Sequence, residues 1–331
     1  MKRLTRILLI TAALFSGHYL LFPITPPVQA APASGLHLGN NPDLPTLTFY
    51  TSGLATTPQL PLWYAARKGN LLSHCNLEVK VWKTIDDLRG NVLAGKGDLW
   101  LGQTHGFVQA ARRGAPVKLL AVTAWRKFYL VSTDETRLHF ADYQGETLSY
   151  APTGSPAVPI LQSILKSDRP IRFKPGQGRQ LAMLLMKGKI TAALVPEPMV
   201  SILTMKVPGL KVGENVETLY GNVRQSKPRM PIAGLAIHTK LLTQHPGLAE
   251  AILDELKKAG EALAQHPEDG AAVLPEAFTR FVTPELVTAS LKRDAILVER
   301  AREVQSELKA YLDVILPDHA PSEADLEATL F

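Results

Sequence analysis

The sequence predicts a two-lobed α/β protein, and three observations carry that expectation. At 331 residues the chain exceeds what one small core organises. The stretch LLMKGKITAALVPEPM, Leu184 to Met199, reads as a helix end, a glycine stop, a short buried strand and a second helix start. Gly188 suits the left-handed conformation that ends helices because it has no Cβ. Thr191 to Val195 has the length and apolar character of a buried strand, which Pro196 and Pro198 end. The same grammar recurs in VLAGKGDLWLGQTHG, Val92 to Gly106, so each half of the chain holds one copy. Each lobe then offers a strand-end loop to a shared cleft, and Glu197 stands at the carboxyl end of a strand, where open α/β sheets hold ligands.

Taken in order, the chain begins with a basic MKRLTR, an apolar ILLITAALFSGHYLLF and Val28-Gln29-Ala30 before Ala31. This is the pattern of a cleavable export signal over residues 1–30. His18, Gly17 and Pro23 interrupt the apolar run, which falls short of a membrane span. The formal charge of +6 drops to +3 without Lys2, Arg3 and Arg6, and no basic patch interleaved with aromatics points to nucleic acid. The single cysteine, Cys75, has no intrachain partner for a disulfide, so it is expected to be a small buried residue in an exported, soluble, monomeric protein.

Pro32 to Pro45 reads as a lead without periodicity. Strands follow at Leu47–Tyr50, Leu77–Trp82 and Leu99–Leu101, with helices from Thr57 or Leu60 to Gly69, at Asp86–Ala94 and at Phe107–Arg113. Val117–Thr123 is apolar throughout and suits a central strand. Trp125-Arg126-Lys127 interrupts it before a further strand at Phe128–Ser132, a first crossing between lobes. The lobes divide as 31–128, 129–232 and a return at 233–331. The second lobe opens with a strand at Leu148–Tyr150, a tight loop at Ala151–Gly154 and a helix capped by Ser155 with Pro156 at its first position. Ile171–Phe173 and Leu210–Val212 read as strands, Gln180–Met186 as a helix, Tyr220–Pro231 as loop, and Ile232–Ile237 as the returning strand. From Leu241 onward the pattern is helical, with Leu248, Ile252, Leu256 and Leu263 on one stripe and a helix from Thr283 to about Ile315. These helices are expected on the first lobe.

Four strand ends converge if this organisation holds: Thr51-Ser52, Gln103-Thr104-His105, Thr153-Gly154-Ser155 and Glu197. Three of them lead into helix N-termini, whose free N–H groups and dipole suit an anion. Ser155 and Thr104 also suit plain N-caps, and Glu197 suits capping its own helix or holding a hinge. Trp125 sits where a ligand could stack, or where a hinge needs an aromatic. GxSxG, HExxH, CxxC and a P-loop are absent, Pro175 to Gly178 lacks a nucleotide fingerprint, and His37, His74 and His105 lack metal-ligand spacing. No cofactor and no metal are implied.

Several motifs in register resemble the periplasmic substrate-binding proteins of ABC importers, in the branch for nitrate, sulfonate, taurine and thiamine-pyrimidine precursors. They are TSGLATTPQLPLWYAARKGNL, LRGNVLAGKGDLWLGQTHGFVQAARRGAPVKLLAV, FADYQGETLSYAPTGSPAVPILQSIL, MKGKITAALVPEP and PIAGLAIHTKLLTQHPGLAEAILDELKKAGEAL, covering about Leu47 to about Gln265. The resemblance implies a periplasmic-binding type II fold with two hinge crossings. It also implies a small anionic or heteroaromatic ligand between the lobes and delivery to a membrane permease and its ATPase. By position it makes Thr51, Ser52, Gln103, Thr104, His105, Thr153 and Ser155 ligand contacts and puts Glu197 at the cleft edge. Cys75 stands alone, unlike the cysteine-rich run of the fungal pyrimidine synthases in this superfamily, which argues against their single-turnover chemistry. A periplasmic enzyme using His105 or Glu197, and a lobe that senses ligand for a membrane receptor, are the alternatives.

Overall fold

The computed structural model describes residues 35–52, 57–279 and 283–331. The expected signal segment, with its cleavage site, lies outside them. Two sheets organise the chain. The first is assembled from β1 (Leu36–Leu38), β2 (Thr46–Ser52), β3 (Asn76–Trp82), β4 (Leu99–Gln103) and β5 (Val117–Ala124). The second holds β6 (Phe128–Ser132), β7 (Thr147–Tyr150), β8 (Arg172–Pro175), β9 (Ala192–Pro196) and β10 (Lys211–Asn215). The chain then returns to the first sheet with β11 (Ala233–His238) and β12 (Glu299–Arg300). Strand orders are β1-β3-β2-β4-β11-β5-β12 and β10-β6-β9-β7-β8.

Between the strands of the first sheet run α1 (Leu60–Arg67), α2 (Ile85–Leu93) and α3 (Thr104–Arg112). Between those of the second run α4 (Ala157–Ile164), α5 (Gly178–Met186) and α6 (Met199–Lys206), and α7 (Val216–Arg224) follows β10. After β11 come α8 (Thr239–Gln244), α9 (Leu248–Gln265), α10 (Asp269–Ala272), α11 (Glu276–Thr279), α12 (Pro284–Leu291), α13 (Gln305–Ile315) and α14 (Glu323–Ala328).

β2 pairs in parallel with β3 and β4, and β7 pairs in parallel with β8 and β9. Parallel pairing puts the carboxyl ends of neighbouring strands on one edge, and this is what gathers the strand-end loops in each lobe. Helices cover the inner strands β4, β5, β6 and β9, which read as mostly apolar runs, whereas the edge strands β8 and β10 are polar. In the first lobe Leu47, Phe49, Trp63, Leu77, Leu99 and Phe278 share a core with the α9 stripe Leu248, Ile252, Leu256 and Leu263. Each such side chain stabilises by roughly 1.5–3 kcal/mol through burial.

The structure departs from the sequence expectations in three segments. Leu36–Leu38 adds an antiparallel edge to β3 although the lead lacks periodicity. Tyr220 to Arg224, expected as loop, belongs to α7; Asn215 caps that helix by accepting from Thr218 N at 2.8 Å. The pattern was hidden because charged Glu217 lies on the buried face beside Val216 and Tyr220. The single long helix from Thr283 to Ile315 is two, α12 and α13, separated by an extended segment through Asp294 and Val298. Helix α9 packs on α1 of the first lobe, as expected. Helix α13 reaches further: it packs on α4 of the second lobe while Tyr311 meets His105 at the start of α3.

The lobes are joined at Trp125–Lys127 and Met230–Ile232. These crossings hydrogen-bond to each other, Met230 N to Trp125 O at 2.8 Å and Ile232 N to Ala124 O at 3.1 Å. The segment before β12 lies on the other side of the first crossing, with Trp125 N donating to Ala295 O at 3.1 Å. Among the described residues no helix is long and apolar enough to cross a membrane.

Candidate functional site

The pairing registers bring the expected site residues together as two pairs of loops, one in each lobe. β2 and β4 are in register at Tyr50 and Trp100, so Thr51-Ser52 end beside Leu101-Gly102, one residue short of Gln103. Thr51 is fully buried, and its hydroxyl has no hydrogen-bond partner among the described residues. A buried hydroxyl left unpaired costs about 1–3 kcal/mol, so such an atom is a place to look for ligand or water. Gln103 precedes α3 and is half-buried; it lines a groove of about 290 Å³ between α2 and α3, together with Leu88, Arg89 and Phe107. In the second lobe Tyr150 is in register with Leu194, and Ala151 N donates to Leu194 O at 3.1 Å. The Ala151–Ser155 loop therefore runs beside Pro196-Glu197. Thr153 at its tip is exposed, whereas Ser155 is buried and its hydroxyl accepts from Ala157 N at 3.4 Å.

Both pairs adjoin the hinge. The Thr104 amide donates to Ile232 O at 3.2 Å and its hydroxyl donates to Pro231 O, so Thr104 fastens the start of α3 to the second crossing. Glu197 N donates to Lys127 O at 2.9 Å on the first crossing. The Glu197 carboxylate is buried and caps α6, accepting from Ser201 N at 3.1 Å and Ser201 Oγ at 3.0 Å. Arg293 Nη1 approaches the same carboxylate at 3.4 Å.

Two of the named residues turn away from these loops into packed surroundings. His105 lies against Tyr311, ring centroids 6.3 Å apart, with the phenol 3.4 Å from Nδ1. Burial, reinforced by the Arg89 charge, holds its pKa down at about 4, so the ring is neutral at physiological pH. Trp125 is fully buried at the hinge; its indole N–H donates to Leu297 O at 2.7 Å, and the Arg229 guanidinium lies 4.0 Å from its ring centre.

The structure adds charged residues that reading the sequence did not single out as site residues. Lys127 Nζ lies 3.7 Å from Asp294 Oδ2, which also accepts from the Thr57 hydroxyl. Asp294 is buried, its other oxygen has no hydrogen-bond partner among the described residues, and burial raises its pKa to about 7 against the pull of Lys127. Glu217 accepts from Lys127 N at 3.0 Å, Phe128 N at 3.1 Å and the Asn215 amide at 2.6 Å, holding the backbone of the first crossing. Arg126-Lys127 was visible as a break in an apolar run. Glu217, Arg293 and Asp294 had no such signal, because the partners that tie them to the crossing or to the other lobe lie 89 or more residues away along the chain. Among the described residues no group of three or more His, Cys, Asp or Glu side chains is placed to hold a metal ion.

A family model described as NMT1/THI5 like matches residues 57–270, which include the Gln103 strand end, the second lobe's pair and both crossings. The chain belongs to the NMT1/THI5-like family. This family member is similar in structure to an ABC transporter protein from Parabacteroides distasonis, with TM-score 0.66 and 16% identity over 87% of this chain and 96% of that one. It is also similar to the periplasmic aliphatic sulphonate binding protein SsuA from Escherichia coli, with TM-score 0.66 and 14% identity over 88% and 92%. The periplasmic nitrate-binding protein NrtA from Synechocystis PCC 6803 aligns with TM-score 0.60 and 16% identity over 87% and 86%. At these identities the likeness shows the fold, the two-lobed periplasmic-binding architecture.

Proposed function

We propose that this NMT1/THI5-like protein is the extracytoplasmic solute-binding component of an ABC importer. It takes a small anionic or heteroaromatic solute between its lobes and delivers it to the permease and ATPase. The observation that carries the reading is the placement of one pair of strand-end loops in each lobe, both fastened to the same hinge. Thr51, Ser52, Gln103, Thr153 and Ser155 are the ligand contacts in this reading. Thr104 and Glu197 hold the loops to the crossings, and the lobes divide at about residues 128 and 232. The positive dipole end at the start of α3 suits an oxyanion, whereas the Ala157 N–H of α4 is taken by Ser155, and the solved neighbours include sulphonate- and nitrate-binding proteins. The protein acts in the periplasm as a monomer, after removal of the export signal. A hydrolytic or acid–base role is disfavoured: His105 faces Tyr311, and Glu197 is engaged by Ser201 and Arg293.

Intrinsic fluorescence tests this directly, because Trp125 sits in the hinge that closure must flex. Saturable quenching or enhancement is expected with one class among alkanesulfonates, nitrate and aminopyrimidines, and loss of that response in Gln103→Ala and Ser155→Ala. A flat response to every class defeats the reading.

A further inference from the structure

Consecutive residues of the segment between α12 and β12 hold opposite lobes. Asp294 faces the first lobe: it accepts from the Thr57 hydroxyl and pairs with Lys127 on the crossing. Arg293 faces the second: its Nη1 donates to Ser201 Oγ at 3.1 Å and lies 3.4 Å from Glu197 Oε1. The Arg293 carbonyl is held as well, accepting from Arg126 Nε at 2.8 Å and from the Tyr129 hydroxyl of β6 at 2.7 Å. Ala295 N donates to Arg126 O at 3.4 Å. Ahead of this segment α12 packs between the Thr57–Gln59 turn of the first lobe and α6 of the second. The chain therefore passes the hinge three times, and the third passage is not a connection between the sheets but a strap laid along it.

We infer that Arg293 is a closure latch, a positioning residue whose grip on Glu197 and Ser201 sets the angle between the lobes. The chemistry suits a latch rather than a permanent staple. The Glu197 side chain is fully buried, capped and fixed to α6, so it is a rigid catch. The Arg293 side chain is 31% exposed, so its end of the pair is solvated and its hold is weak enough to release. The backbone bonds to Arg126 and Tyr129 keep the strap in place when the side chain lets go. Opening the lobes moves Glu197 with α6 away from Thr57, and the Arg293 side chain is the charged contact across this movement, beside the Tyr129 hydroxyl and the packing of α12 on α6. A two-state hinge responds to any contact made in only one of its states. Removing the latch thus shifts the resting population toward open without touching the strand-end loops.

This inference rests on the hinge-closure reading above, and its test needs no solute, so the two fail separately. Small-angle scattering of the purified chain gives the radius of gyration for wild type, Arg293→Ala and Arg293→Lys, each with a thermal midpoint to confirm folding. Arg293→Ala is expected to be larger than wild type, and Arg293→Lys to fall between them. Raising wild type to 1 M NaCl shortens the screening length to about 3 Å and, acting at the solvated guanidinium end of the pair, should give part of that expansion. The same salt should leave Arg293→Ala unchanged, which a purely structural role for the side chain would not produce. If Arg293→Ala does not fold, the salt response of wild type decides alone. A folded Arg293→Ala with the wild-type radius, or a wild-type radius indifferent to salt, overturns the latch.

Discussion

Arg229 shows how one side chain secures the hinge. Its guanidinium stacks on Trp125 and pairs with Glu299 at 2.6 Å and Glu307 at 2.5 Å, with the side chain only 10% exposed. Arg229→Ala removes the cation from between two carboxylates and uncovers the indole. It should destabilise the fold by about 2–4 kcal/mol, below the full range for a buried pair because the carboxylates are partly solvated. Urea unfolding measures this, and a loss below about 0.5 kcal/mol contradicts the assignment. His105 predicts a pH dependence. Its folded pKa of about 4 lies below the ordinary 6.5, so the unfolded chain binds the extra proton in that window. Its contribution to stability is present above 6.5 and is lost as pH falls toward 4, by up to about 1.4 kcal/mol per unit. Wild type should therefore lose stability relative to His105→Gln between pH 6.5 and 4, and parallel pH curves would remove the effect. At this scale the sequence was legible where a residue acts locally. Glu197 capping α6 was a foreseeable option from Glu-Pro at a strand end. That His105 would meet Tyr311 was not, since the pair is separated by 206 positions.

The elements were legible where periodicity was clean and obscure where a polar residue served the interior. Both glycine–strand–helix units form as read, because Gly95 and Gly188 take positive φ at the helix ends. Helix α7 and the strap were missed for one reason: Glu217 and Asp294 are buried carboxyl groups whose partners are supplied by tertiary structure. The returning strand β11 makes a sharper prediction. Gly234 sits between β4 and β5, and a Cβ there would stand 2.2 Å from Ala121 O. That contact is with backbone, so it yields only if the strands part. Gly234→Ala should cost about 2–4 kcal/mol, within the range of overpacking and lost pairing. Hydrogen exchange should show faster opening of β11 and β5 than of β2 and β3. Uniform protection across the sheet would contradict it.

The whole molecule is two lobes, each built on a mixed sheet, on a hinge of two crossings and a strap. The lobes were legible from the repeated unit because local sequence specifies each βα turn. The strap was not, because lying beside a crossing leaves no local signature. The same holds for the site: its loops could be placed from strand ends, while Lys127, Arg293 and Asp294 became visible only when distant segments met. The central claim is that closure of these lobes around a small solute is the function. The most direct measurement is a thermal-shift panel of sulfonates, nitrate, carboxylates and pyrimidines, followed by scattering with any hit. One class should stabilise the protein by roughly 2.7 kcal/mol at a hundred times its Kd, with a smaller radius of gyration in the bound state. Saturable binding that leaves the radius unchanged, or no stabilisation by any class, would contradict it.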